Sequence, residues 1–233
     1  MTAVALSLAR GSGENRQMNG MQDPLQDLLR RSNGLEKSLA PLLELKTFDQ
    51  SDRARCSKIM CSVAFEHAES AKLLIAAGNF TSALGMVRLQ YEAFVRAMWL
   101  LYAASDRAVA KLTSELTHES SKKADRLPLL GRMLQELDGK GPAEPMGMLF
   151  DFKEYSWKPL SSYVHGGIHA VHRHSKGYPL PLLAQAIRAS NGVSTMVGML
   201  LVILSGERSQ SARILQIQVD FGDCLPSPKR QEA

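Results

Sequence analysis

Apolar residues recur along most of this chain at helical spacing. Between Asp23 and Leu45 the positions Leu25, Leu28, Leu29, Leu35, Leu39, Leu42 and Leu43 trace one stripe of an amphipathic helix. Asp23 is a candidate N-cap, and Pro24 suits the first helical position, where a missing N–H costs nothing. A second helix is predicted over 51–77, stopped by Gly78-Asn79, a pair that tolerates left-handed backbone. The third, over 81–104, carries Leu84, Val87, Phe94, Met98, Trp99 and Leu100 and is apolar around most of its circumference. Such a helix belongs in the middle of a bundle. Its short connection to the second predicts an antiparallel pair.

Further on the pattern weakens. Residues 106–137 read as helix interrupted near Pro128, and Gly139 to Pro145 as a loop. Another helix is predicted over 146–165, followed by Gly166-Gly167 and a histidine-rich turn. Tyr178-Pro179-Leu180-Pro181 then opens a long helix ending at Ser205, before Gly206, and a shorter amphipathic segment covers 212–221. The apolar stretch 193–204 is shorter than the roughly 20 residues that cross a bilayer, so it predicts a buried helix and no membrane partner. No run alternates with period two. The expectation is an all-α fold, one compact bundle over 21–225, with an arm at 1–20 and a tail at 226–233. Met18 and Met21 are alternative translation starts to Met1.

Composition adds three constraints. Hydrophobic residues at 45% and charged residues at 22% exclude wholesale disorder. A formal charge of +5 invites a nucleic-acid reading, but the charge is spread thinly. The densest basic stretch, Lys122, Lys123 and Arg126, is flanked by Glu119 and Asp125. The three cysteines cannot all pair, and Cys56 and Cys61 share one predicted helix, so the chain reads as reduced and cytoplasmic.

The candidate chemistry is sparse. Arg88, Glu92 and Arg96 lie at i, i+4 and i+8, a narrow strip on the otherwise apolar third helix. Two readings fit: a solvated face with weak i,i+4 pairs, or a polar cleft in which Arg grips an anion. Glu66 and Glu69, on the antiparallel neighbour, are expected to meet Arg88 or Arg96 as structural pairs. Lys158, Ser161, Ser162 and His165 share a second face, and an imidazole beside Lys and a hydroxyl suits general acid–base work near neutral pH. His165, His169, His172 and His174 lack Cys, Asp or Glu neighbours, and two glycines break the helix that would align the first two. No metal site and no cofactor are predicted. Nucleotide-loop, zinc-protease and hydrolase-elbow motifs are absent.

Two stretches, ALGMVRLQYEAFVRAMWLLYAAS at 83–105 and FKEYSWKPLSSYVHGGIHAVHRHS at 152–175, resemble a family of uncharacterised bacterial proteins, over most of the chain from Met21 to Leu225. More distantly, an R-x3-E-x3-R helix followed by a helix ending S-x3-H is similar to HEPN-like helical bundles. That resemblance implies the bundle fold and a homodimer. It implies either a non-catalytic module for an anionic ligand (nucleotide, RNA or partner protein), in a bacterial defence or toxin–antitoxin setting, or a metal-independent ribonuclease. Ligand binding would fall to Arg88, Glu92, Arg96, Ser161 and His165; catalysis, in the ribonuclease, to His165 with Lys158. HEPN ribonucleases place an Arg shortly before their His. Here position 160 is Leu, and Lys158 is the nearest preceding cation. This departure, with the thin basic surface, favours binding over cleavage, since RNA capture uses several phosphate contacts. A purely structural partner protein is the remaining alternative.

Overall fold

A computed structural model describes residues 23–124 and 127–227. The arm at 1–20, the end of the tail from 228, and Asp125 and Arg126 lie outside the described residues. Among those described there is no strand, and the chain folds as a compact all-α bundle.

Helix α1 spans Asp23–Leu39 and tightens into a 3-10 turn over Ala40–Glu44. The single helix expected to Leu45 ends early because Pro41 has no N–H for the carbonyl four residues back and its ring crowds that carbonyl. Helix α2 (Asp52–Ala76) begins at the N-cap Ser51, whose side chain accepts from the Ala54 N–H, and stops at Gly78, whose φ of +79° is left-handed. Helix α3 (Phe80–Tyr102) returns antiparallel along α2, and Ser57 Oγ donates to the Ala97 carbonyl at 2.9 Å near one end of the pair.

The weak region 106–137 is three short helices, α4 (Asp106–Thr113), α5 (His118–Ala124) and α6 (Leu130–Leu137). Helix α7 (Ala143–Phe152) starts inside the expected loop, since Pro142 and Pro145 sit at its N-terminal end, where proline is tolerated. It continues through a π turn at Lys153–Trp157 into α8 (Lys158–Val164). Pro159 cannot donate to the carbonyl four residues before it, and the backbone widens just ahead of it. The expected histidine-rich turn is instead helix α9 (Ile168–Lys176). Gly166 turns the chain at φ +64°, and Ser162 Oγ then accepts the His169 N–H at 3.0 Å, capping the new helix. Helix α10 (Leu180–Ser205) and α11 (Ser209–Asp220) complete the bundle.

Helix α3 is central: it packs on α2, α6, α8 and α10 and buries Tyr91, Phe94, Met98, Trp99 and Leu100. Helix α10 is long and apolar enough to cross a membrane, but 78% of its most apolar window is buried inside the bundle. It buries Val193, Val197, Leu200 and Leu201 in the main core. A smaller core, with Leu84, Val87, Leu160, Tyr163 and Ala170, lies under α8 and α9 and fixes them against α3.

Candidate functional site

The strip on α3 meets the π turn and α8. Tyr91 anchors this junction: its hydroxyl donates to the Leu149 carbonyl at 2.6 Å, and its ring stacks on Phe152 at 4.3 Å between centroids. Arg88, one helical turn earlier, faces the same junction with its side chain only 12% exposed. Its Nε donates to Ser161 Oγ at 3.1 Å, a terminal nitrogen donates to Glu92 Oε1 at 2.9 Å, and its guanidinium carbon lies 4.4 Å from the Trp157 ring centroid. The planar, always-charged head is thus used on both its edge and its face. The π turn contributes Trp157 to this arrangement.

Of the two readings of the strip, the inward one holds at Arg88. The carboxylate that meets it is Glu92 on its own helix, not Glu66 or Glu69, which are both exposed on α2. The antiparallel pairing is as expected, but the rotation of α2 turns those glutamates outward. Exposure costs a carboxylate nothing, whereas burial would need a partner.

Arg96 differs from Arg88. It is half-buried, and among the described residues its guanidinium makes no hydrogen bond or ion pair. Burial pulls its pKa below the usual arginine value, with the Glu92 charge opposing that shift. Arg96, Glu92 and His67 line a cleft of about 300 Å³ between α2, α3 and the start of α6. Arg88 is a latch between α3 and α8; Arg96 is the cation that faces open space.

Lys158 and His165 stand apart from this cluster. Both are exposed, at opposite ends of α8, and among the described residues neither side chain bonds to Arg88, Glu92 or Arg96. Seven residues of helix separate them by about 10 Å along the axis. The structure therefore brings together Arg88, Glu92 and Ser161, sets Arg96 beside Glu92, and leaves His165 at the surface. His169, His172 and His174 are exposed on α9, and among the described residues no three His, Cys, Asp or Glu side chains converge on one point. Cys56, Cys61 and Cys224 are free thiols in the core, and burial raises the pKa of each.

One polar cluster was missed by sequence reasoning. Lys72 Nζ donates to Glu36 Oε1 at 2.5 Å, with both side chains nearly sequestered from solvent. Beside them Ser190 Oγ donates to Gln90 Oε1 at 2.7 Å, and Gln90 Nε2 donates to the Ser190 carbonyl and to Ser194 Oγ. A signal for it exists: Cys61, Ala64, Ala68, Lys72 and Ile75 form one helical stripe, so Lys72 occupies a core position by spacing.

The fold and site together define an all-α bundle whose central helix carries one latched and one open arginine. The chain belongs to a family of unknown function, DUF6988, whose family model matches residues 61–227. That span takes in Arg88, Glu92, Arg96, Lys158, Ser161 and His165. No curated protein and no solved structure matches the chain.

Proposed function

We propose that this chain is a HEPN-like, non-catalytic binding module for an anionic ligand, working as a homodimer in the bacterial cytoplasm, in a defence or toxin–antitoxin setting. The observation that carries this reading is Arg96: a half-buried guanidinium facing a cleft with no hydrogen-bonded counter-charge among the described residues. Desolvating a cation that has a carboxylate nearby but no hydrogen bond to it is costly, and an incoming anion that bonds it directly offsets that cost. Arg88 and Glu92 hold the strip in place from the α8 side.

The ribonuclease alternative rests on His165, whose exposure leaves it accessible to a phosphate. It needs a cation and a proton carrier at one phosphate, and the roughly 10 Å between Lys158 and His165 along α8 argues against their sharing one.

The test is calorimetric titration of inorganic phosphate, AMP and single-stranded RNA into wild type and Arg96→Gln, with an RNA-cleavage assay in EDTA alongside. The expected result is binding of at least one anion, weakened about tenfold or more by Arg96→Gln, with no cleavage. Cleavage lost in His165→Ala would overturn the non-catalytic reading. Failure of every anion to bind would leave a structural partner protein.

A further inference from the structure

Besides Arg96, Glu92 and His67, the cleft between α2, α3 and α6 is walled by Met60, Val63, Leu89, Ala93, Leu130 and Met133. Its rim is Leu129, the N-cap residue of α6, which is 83% exposed. Leucine serves neither the helix nor the core there. An N-cap favours Ser, Thr, Asp or Asn, and no side-chain cap bond is made at this one. A large apolar side chain in water also contributes nothing to the fold. Sites where local rules are broken without gain to the fold are where function is to be sought.

We propose that this cleft binds a small monocarboxylate with an apolar chain, the carboxylate against Arg96 and the chain along the wall from Met60 to Met133 under Leu129. This inference rests on the anion-binding reading and narrows it. A volume of about 300 Å³ lies at the lower end of small-molecule pockets. The apolar wall includes two methionines, Met60 and Met133, side chains that adapt to chains of varied shape. A single charge is favoured over two. The cleft offers one guanidinium outside any ion pair, and the carboxylate of Glu92 lines the same space. A phosphate monoester would bring a second negative charge beside Glu92, whereas a carboxylate matches the planar fork of Arg96 one to one.

The probes are octanoate, acetate, 1-octanol and inorganic phosphate, titrated calorimetrically into wild type, Arg96→Gln and Leu129→Ser, with far-UV circular dichroism confirming each fold. Octanoate is expected to bind on the order of a hundredfold more tightly than acetate, because each methylene leaves water for the wall. Arg96→Gln should weaken octanoate about tenfold or more and leave octanol unchanged. Leu129→Ser places a favoured residue at the N-cap, so the helix is kept while the apolar rim is lost; it should weaken octanoate and spare acetate. Phosphate bound in an Arg96-dependent way, with octanoate no tighter than acetate, would overturn the monocarboxylate and leave the anion reading standing. Octanol binding as tightly as octanoate would overturn the role given to Arg96. If octanoate, acetate and phosphate all fail to bind, the monocarboxylate falls, and the AMP and RNA titrations decide the anion reading separately.

Discussion

Lys72 and Glu36 show how much rests on single buried side chains. Burial pushes the Glu36 carboxyl above its ordinary pKa and the Lys72 ammonium below its own, and each partner's charge only partly opposes this. The attraction within such a pair is offset by the cost of taking both charges out of water, so keeping the pair gains little while removing one partner costs much. Lys72→Met should cost about 3–5 kcal/mol in urea denaturation, because Glu36 is left buried and alone, while the double variant with Glu36→Met should recover most of that loss. The single variant should also show a stronger pH dependence than wild type, because the Lys72 charge no longer opposes the upward shift of Glu36. A carboxyl whose folded pKa is raised contributes stability that is complete below the ordinary carboxylate range. It is lost as pH rises through the folded value, so the loss of stability in Lys72→Met relative to wild type should be smallest in acid. Trp99 makes a simpler case. Its ring is 1% exposed and its Nε1 donates to Glu136 at 2.8 Å, so Trp99→Ala should cost about 3–5 kcal/mol, measured by the same denaturation.

Among the elements, Gly198 on α10 marks a close approach of the side chains from α1, its 3-10 turn and α11. A Cβ there would lie 2.9 Å from Leu39 Cδ2, 3.0 Å from Ile214 Cδ1 and 3.3 Å from Leu42 Cδ1. Alanine would gain up to about 1 kcal/mol of helix propensity over glycine. Three buried neighbours must give way together, however, and overpacking costs about 1–3 kcal/mol. Gly198→Ala should therefore lower the melting temperature, although it improves the helix in isolation. The same contest between local preference and packing decides what could be read from the chain. Helices α2, α3 and α10 were legible because the apolar period runs on for more than twenty residues in each, with a glycine ending α2 and another ending α10. The errors fall where one backbone feature outvotes the pattern. Pro41 turns the end of the first helix into a 3-10 segment, Pro159 is preceded by a π turn, and Ser162 caps histidines into a helix that composition alone suggested was a turn.

For the whole molecule, the limit was rotation. Periodicity placed Arg88, Glu92 and Arg96 on one strip but could not say which neighbour the strip faces. Only the packing of α8 and the π turn shows that Arg88 is latched by Trp157 and Ser161 while Arg96 opens on a cleft. The proposed homodimer poses the same question for the surface. Where α8 turns into α9, Val164, Ile168 and Val171 are 40%, 78% and 66% exposed, an apolar corner around His165. Apolar surface of this kind is removed from water by self-association, and a two-fold axis is the usual arrangement. Light scattering at micromolar concentration should give about twice the 25.6 kDa chain mass for wild type. Ile168→Glu should give the monomer. Ile168 is the first residue of α9, where a carboxylate suits the positive end of the helix, so the fold should survive the change and circular dichroism should be unaltered. A wild type that scatters as a monomer would refute the dimer, and a dimer indifferent to Ile168→Glu would move its interface away from this corner.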